Sequence, residues 1–474
     1  MAKRNSLTQR VLKATGIFGG TQVITILCAL IRSKLVAIWI GPAGFGLLSI
    51  YLAALDLLGQ ITSLGVRSSA VRDVATNANN REHVARISRI IGRWGIVLGL
   101  GGLVLTALIS PLLSLASFGT TAYFLSFVFL GIGVALNTLT GTNLAILQGL
   151  SRLKNLSHAT IGGAVAGLVI VIPMYYYWRL DSILPSIIVY AVATFLAAYI
   201  YRERFDKSNE PISRRETISV GRKFLALGFF ITISDILGQL AVYIFVSWLN
   251  INAGEDIVGL YQAGNTLFNR YVGLVFTAIA MEYYPRLTAV VYSPKRVSIF
   301  VSHEIKMALS MLVPIVCLFA ALAPLIIKIL YAAEFISIVP FVTIAITGTT
   351  LRAVSWCMAM VILARGDGKR FILTEGSSAI IAILVNIVGY KMMGLIGLGL
   401  SYVAWYLSYT IIVYIVYRRT YGLTISRGIY ILMLVAVVIV ALTAAITLLT
   451  GSYIIPIIAA IATTLLAIRS FRNH

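Results

Sequence analysis

The chain is predicted to be an all-α polytopic membrane protein: about fourteen transmembrane helices, set as two six-helix parallel-repeat lobes around a central cavity plus two additional C-terminal helices. Three observations lead there. Of 474 residues, 59% are hydrophobic and 11% charged, and the mean hydropathy of +0.94 exceeds what a soluble domain of this length tolerates. Apolar runs of about 20 residues, the length that crosses a bilayer as helix, recur from end to end. Basic residues gather on alternate turns between those runs, the asymmetry that membrane insertion selects.

The first six runs occupy approximately 16–40, 46–65, 90–115, 121–149, 155–177 and 182–201. The first follows Lys3, Arg4, Arg10 and Lys13 as the core of a signal peptide would. Arg32 and Lys34 replace the small-residue cleavage site, so the run is expected to be retained as a helix. The second opens with Gly46-Leu47-Leu48-Ser49. Glu82, Arg86, Arg89 and Arg93 share one face leading into the third, expected to be solvated or to lie on headgroups, with roughly 1 kcal/mol of attraction to anionic lipid per basic residue. Gly95 with Gly99, and Gly163 with Gly167, are small-xxx-small pairs suited to close helix contact.

A second set of runs follows at 224–249, 257–283, 307–331, 338–363, 371–393 and 396–417, then 429–449 and 453–468. Pro173, Pro314, Pro324 and Pro340 fall inside runs, where proline kinks a helix and frees carbonyls; a moving gate and a static kink are both open readings.

The net charge of +22 suggests nucleic acid until its distribution is read. With the amino terminus inside, about 31 of the 38 Lys and Arg residues lie on the cytoplasmic side, and the outer turns keep Arg179, Lys328, Lys391 and the acidic Glu255-Asp256. Topology therefore accounts for the charge, nucleic acid is excluded as a partner, and both termini are expected in the cytoplasm. Cys28, Cys317 and Cys357 sit within runs, and His83, His158, His303 and His474 are scattered, so neither a disulfide framework, a metal nor a cofactor is expected.

Gly46-Leu47 at the second run and Gly259-Leu260 at the eighth, Arg152 and Lys369, and Arg202 and Arg418 all repeat at offsets near 215. Six runs and the same basic loops in each set read as two parallel repeats. The expected domains are an N-terminal lobe over 1–205, a cytoplasmic linker over 206–222, a C-terminal lobe over 223–420, and two extra helices over 421–474.

Arg32, Arg270 and Arg352 interrupt apolar runs. A cation there costs from about 3 kcal/mol on insertion scales to 10 or more in simulations, so such arginines usually face a cavity, and the default reading is an anion's path. Polar residues also fall on single helical faces: Thr21, Thr25, Cys28 and Arg32; Ser49, Ala53, Asp56, Gln60, Ser63 and Arg67; Thr232, Asp235, Gln239 and Tyr243; Gln262, Thr266, Asn269 and Gly273. These stripes are expected to turn toward a hydrated central cleft, the alternative being interhelical hydrogen bonding. Asp56 and Asp235 are candidate protonation sites, or neutralise a neighbouring arginine.

The segment Lys34-Leu35-Val36-Ala37-Ile38-Trp39-Ile40-Gly41-Pro42-Ala43-Gly44-Phe45-Gly46 resembles the junction of the first two helices in Wzx-type oligosaccharide-lipid flippases. Val258-Gly259-Leu260-Tyr261-Gln262, followed by Tyr284-Pro285-Arg286-Leu287, resembles the corresponding region around the eighth helix. These flippases form the polysaccharide transporter branch of the multidrug/oligosaccharidyl-lipid/polysaccharide exporter superfamily. The resemblance covers the twelve-helix body. It implies a bacterial inner membrane and alternating-access transfer of undecaprenyl-pyrophosphate-linked oligosaccharide units, of O-antigen, capsule or exopolysaccharide type, from the cytoplasmic to the outer leaflet. It also implies pyrophosphate contacts from cavity cations, which here fall to Arg32, Lys34, Arg67, Arg270 and Arg352. A polysaccharide polymerase and a chain-length regulator are the partners it suggests beside membrane lipids.

Two other readings remain. A drug or cation antiporter of the same superfamily would share the architecture, although cation exporters favour acidic cavities and the embedded charges here lean basic. An integral-membrane glycan polymerase or ligase needs a sizeable outer loop to carry its chemistry, and the longest outer turns are only about ten residues.

Overall fold

The apolar runs fold as helices, and no strand occurs among the described residues. In hydrocarbon a backbone N–H or C=O without an internal partner costs several kcal/mol, and a helix supplies that partner locally. The computed structural model describes residues 2–63, 65–78, 80–203, 213–271, 273–451 and 454–472.

Contacts divide the chain into two compact units, Met1–Val258 and Gly259–His474. The first is built from α1 (Ala2–Trp39), α2 (Gly41–Ser63), α3 (Val66–Thr76), α4 (Arg81–Phe118), α5 (Phe124–Gly149), α6 (Leu153–Trp178), α7 (Ile183–Ile200) and α8 (Arg214–Ala253). After them come α9 (Glu255–Thr266), a π-helical segment (Leu267–Tyr271), α10 (Gly273–Val290) and α11 (Pro294–Leu330). The chain then forms α12 (Val339–Ala364), α13 (Gly368–Ile415), α14 (Arg427–Thr450) and α15 (Ile454–Arg472).

Ten stretches of the described residues are long and apolar enough to cross a bilayer. Two of them fold back on themselves. Leu153–Ile200 turns at a 3-10 corner, Arg179–Ser182, between α6 and α7. Gly368–Thr420 turns where Met393 and Gly394 leave helical geometry, Gly394 at φ 58, a conformation that favours glycine. With α9 to α10 as one further crossing and α15 as another, the helices are compatible with the fourteen expected.

The repeat is sharper in helix lengths than in residue identities. Both α5 and α12 have 26 residues, and the separations Phe124 to Val339 and Leu153 to Gly368 are each 215 positions. The packing boundary nevertheless falls after α8, one helix beyond the basic linker, because α8 packs on α2 and α4. Tyr243 Oη and Ser117 Oγ of α4 are hydrogen-bonded at 2.8 Å, and the Asn250 amide donates to the Ser117 carbonyl at 2.9 Å.

Small residues bring helices together as their spacing predicts. A Cβ at Gly95 would lie 2.8 Å from Thr142 Oγ1 of α5, and one at Gly99 would lie 3.2 Å from the Ala135 carbonyl oxygen. A Cβ at Gly163 would lie 2.8 Å from Thr194 Cα of α7, and one at Gly167 would lie 2.6 Å from the Tyr190 ring. Pro173, Pro314 and Pro324 lie inside helices, as do Pro111 and Pro285. Pro340 instead stands at the start of α12, where its missing N–H leaves no bond unmade and no kink results.

α4 has 38 residues, about 57 Å at 1.5 Å per residue, so it outruns an apolar slab of about 30 Å and its first turns project. Their basic face is not simply solvated. Arg86 pairs with Glu216 at 2.6 Å, and Trp94 Nε1 donates to the Thr217 carbonyl at 2.8 Å, fastening the start of α8 to α4.

A matching fastening recurs at one corner of each unit. In the first, Arg152 before α6 pairs with Glu203 after α7 at 3.3 Å. In the second, Asp367 caps α13 through the Arg370 N–H, pairs with the Arg370 guanidinium, and accepts a 2.9 Å hydrogen bond from Tyr421. Partial desolvation works to raise the Asp367 carboxyl, but the bonds from Arg370 and Tyr421 outweigh it and hold it below the usual carboxylate range.

A carboxyl depressed in the folded state contributes stability above its unfolded pKa, near 4, and loses it as pH falls through the folded value. Asp367→Asn is therefore expected to lower the thermal unfolding midpoint at pH 7, by the equivalent of about 1 kcal/mol for a solvent-screened pair, and to weaken its fall below pH 4. A second test concerns the two arms of α13, where a Cβ at Gly397 would overlap the Gly389 carbonyl oxygen, a backbone atom that cannot step aside. Gly397→Ala should destabilise by about 1–3 kcal/mol, read as a lower midpoint in detergent.

Candidate functional site

Within the second unit, Arg352 on α12 meets the π-helical segment. Its Nη1 donates to Asn269 Oδ1 at 2.7 Å and to Tyr402 Oη at 3.4 Å, and the Tyr402 hydroxyl donates to the same Asn269 oxygen at 3.0 Å. The guanidinium carbon lies 5.0 Å from the Phe276 ring centroid and 5.8 Å from that of Tyr406. Among the described residues no carboxylate forms an ion pair with Arg352. Its charge is thus held by amide and phenol dipoles and by ring faces, none of which neutralises it.

Behind Asn269 runs a ladder of amides. The Asn269 Nδ2 donates to Asn265 Oδ1, and Asn265 Nδ2 donates to Gln262 Oε1 at 3.2 Å. Steps of three and four keep these groups on one helical face. The ladder ends in the Leu267–Tyr271 π segment, a geometry found mostly as single turns and frequently at functional sites. Gln262, Asn269 and Arg352, chosen separately from the sequence, are therefore joined. Asn265, Tyr402, Phe276 and Tyr406 were missed. Asn265 lies three residues after Gln262 and four before Asn269, a spacing that could have revealed it; the aromatic residues carry no such signal. The Arg270 side chain lies outside the described residues.

The first unit holds the acids. Asp56 is exposed although Ala54, Leu55, Leu57 and Leu58 around it are buried, and Gln60 lies half-buried one turn on. Asp235 is exposed and Gln239 half-buried on α8, which packs against α2. Asp235 has no hydrogen bond or ion pair among the described residues.

Arg67 does not continue the α2 stripe. That helix ends at Ser63, Gly65 turns at φ 71, and Arg67 stands in the first turn of α3. A Cβ at Gly141 of α5 would lie 3.8 Å from Arg67 Cδ. Solvent reaches the Arg67 side chain, yet desolvation by the surrounding protein pulls its guanidinium below the ordinary range.

The polar face of α1 is turned to α6 and α7. Thr21 Oγ1 and Ser157 Oγ are 2.5 Å apart, Cys28 is buried with Ala164 and Leu168, and the Arg32 guanidinium lies 5.0 Å from the Tyr190 ring centroid. Thr25 bonds back to the Thr21 carbonyl at 3.1 Å, and Lys34 is half-buried on the same helix. Thr21 and Cys28 of this stripe make helix contacts, the alternative use of such residue types, while Arg32 lies beside a ring face. The second unit thus offers a guanidinium with aromatic flanks and an amide partner, and the first offers exposed carboxylates. Such groups can bind an anion and exchange protons.

A family model for polysaccharide biosynthesis proteins matches residues 11–291, more than half of the chain and inclusive of both helix junctions singled out above. No curated protein sequence matches. Among solved structures, the lipid II flippase MurJ in an inward closed conformation is similar with a TM-score of 0.72 at 13% identity, over 96% of this chain and 98% of that one. An inward-facing multidrug resistance MATE family transporter of the MOP superfamily gives 0.67 at 14% identity, over 85% and 97%. A MOP superfamily transporter from Pyrococcus furiosus, described as having reversed polarity in its binding pocket, gives 0.59 at 13% identity, over 86% and 96%. These likenesses establish a multi-pass fold of the MOP transporter kind. On the family match, the chain belongs to the polysaccharide biosynthesis protein family.

Proposed function

We propose that the protein is a flippase that moves a pyrophosphate-linked oligosaccharide lipid of the undecaprenyl class from the cytoplasmic to the outer leaflet of a bacterial inner membrane, with both termini cytoplasmic. The observation that carries the reading is Arg352, a cation within an apolar helix whose partners Asn269 and Tyr402 are neutral. A guanidinium so placed retains its attraction for a phosphate oxygen, and its forked donors suit one. The bond to Asn269 also keeps binding modest, since an arriving phosphate must displace that oxygen before it is held. A site that bound very tightly and equally in every state would trap the lipid.

Arg32, Lys34, Arg67 and Arg270 extend the proposal as further phosphate contacts along the route. Phe276 and Tyr406 offer ring faces beside the charge. The headgroup would cross by alternating exposure of this site to the two leaflets while the prenyl tail stays in lipid, without a catalytic step. A polymerase and a chain-length regulator would receive the product outside. A second reading, cation antiport, is favoured by the accessible Asp56 and Asp235.

Two measurements separate these. In proteoliposomes holding a fluorescent pyrophosphate-linked oligosaccharide lipid, Arg352→Ala is expected to slow leaflet exchange about tenfold or more, the scale of one lost charge-assisted contact of about 1.5–3 kcal/mol, and Arg352→Lys to slow it less. Unchanged exchange in both variants, with efflux of organic cations instead, would transfer the assignment to the antiporter reading. Asp56→Asn is expected to flatten the pH dependence of exchange; an unaltered profile removes Asp56 from coupling.

A further inference from the structure

A cavity of about 450 Å³ opens where α5 hands over to α6, lined by Ser151, Arg152, Leu153, Lys154, Asn155 and Glu203. Its rim is set by a tight turn. Ser151 takes φ 54, and the Ser151 and Arg152 N–H groups close back on the Gln148 and Leu147 carbonyls at 3.0 and 2.9 Å. That closure swings Arg152 to the start of α6 and points Lys154 and Asn155 from the first turn. Within the lining, two cations face one carboxylate, and Glu203 engages Arg152 alone, at 3.3 Å. Lys154 is exposed and has no hydrogen bond or ion pair among the described residues. At the matching corner of the second unit Arg370 pairs with Asp367 and the Arg365 guanidinium lies 4.4 Å from the Tyr421 ring centroid, while Lys369, 215 positions after Lys154, is likewise exposed.

The depth of the cavity is marked by its neighbours. Tyr199, Ile200 and Tyr201, at the end of α7 just before Glu203, are 43%, 63% and 38% exposed. The Arg202 guanidinium lies 3.7 Å from the Tyr199 ring centroid. Tyrosines with a basic residue beyond them mark the boundary between hydrocarbon and water. Inward from that boundary α7 spans 18 residues, about 27 Å, close to the thickness of the apolar slab. The cavity, lined by Glu203 just after this band, therefore opens at headgroup level.

We propose that this cavity binds the phosphodiester of an anionic phospholipid, of the phosphatidylglycerol class, drawn from the leaflet on the basic side of the protein. Lys154 and the free face of Arg152 hold the phosphate oxygens, and Ser151 and Asn155 hydrogen-bond the polar headgroup. The amino-terminal N–H groups of α6, whose cap residue makes no side-chain cap bond, add donors of the same sign. The volume exceeds that of an inorganic phosphate and accommodates a headgroup. Lipid and free anion share the phosphate chemistry; the position beside the tyrosine band that ends α7 favours the lipid. The cavity belongs to the first unit and Arg352 to the second, and its existence does not depend on the transported substrate.

The test uses the full chain in vesicles containing a trace of phosphatidylglycerol with a photoactivatable diazirine on its headgroup, and peptide mapping of the cross-linked positions. Labelling is expected on residues 151–158 and 199–203, at least fivefold above that from a phosphatidylcholine bearing the same diazirine. Lys154→Gln, which removes no internal bond, should reduce that labelling about fivefold, the effect of one basic residue near an anionic surface. Arg152→Gln combined with Lys154→Gln should reduce it further, and excess inorganic phosphate should not compete. Equal labelling by phosphatidylcholine, labelling untouched in a well-folded double variant, or full displacement by inorganic phosphate would each overturn the proposal, the last by showing a free-anion site. Leaflet exchange by the Arg352 variants is read separately, so failure here and failure of the flippase assignment are distinguishable.

Discussion

Hydrocarbon has no hydrogen-bond partner to lend, and that constraint governs every element of this protein. Each peptide group must be satisfied within its own helix, so the chain can depart from helix only at a boundary with water or against other protein. The turns at Gly65, Arg179–Ser182 and Gly394 obey it, as each ends one helix and starts the next. With helix formation settled by the solvent, specificity passes to side-chain shape. Helices meet where glycine lets a neighbour's backbone or ring approach, as Gly163 does for Thr194 and Gly167 for Tyr190.

Much of this was legible because bilayer thickness writes itself into sequence. The break expected between 393 and 396 is observed at Met393 and Gly394, and the repeat inferred from a few landmarks reappears in the matched lengths of α5 and α12. Helix ends on the basic side were read too short. The residues before the seventh run were read as linker, whereas α8 begins at Arg214 and is fastened to the projecting start of α4 by Arg86 and Glu216. Hydropathy reports where lipid stops and is silent about where helix stops. The packing boundary after Val258 was equally hidden, since a helix's choice of neighbour depends on surface complementarity rather than on any period.

At the candidate site the division is similar. An arginine within an apolar run is conspicuous from sequence, and Arg352 proved to sit among polar and aromatic groups. Arg32 is just as conspicuous and lies instead on the face that α1 presents to α6 and α7. Spacing by threes and fours marks a face and cannot say what covers it, because hydration and helix contact recruit the same hydroxyls. Tyr402 carried no alarm of its own, being an aromatic residue in an apolar run, whereas Asn265 shares the face of Gln262 and Asn269 and its spacing could have marked it.

The wide turn at Leu267–Tyr271 has a geometric corollary. It accommodates one residue more than an α-helix would over the same stretch, and each residue of an α-helix advances the chain by about 100° about its axis. Were that turn to tighten into ordinary α geometry, α10 would swivel by about that angle relative to α9 and slip along its length by about one residue's rise. The acceptor oxygen of Asn269 would be drawn out of line with Arg352. A single local rewinding could thus act as a crank, converting occupancy of one guanidinium into torsion along a whole rod.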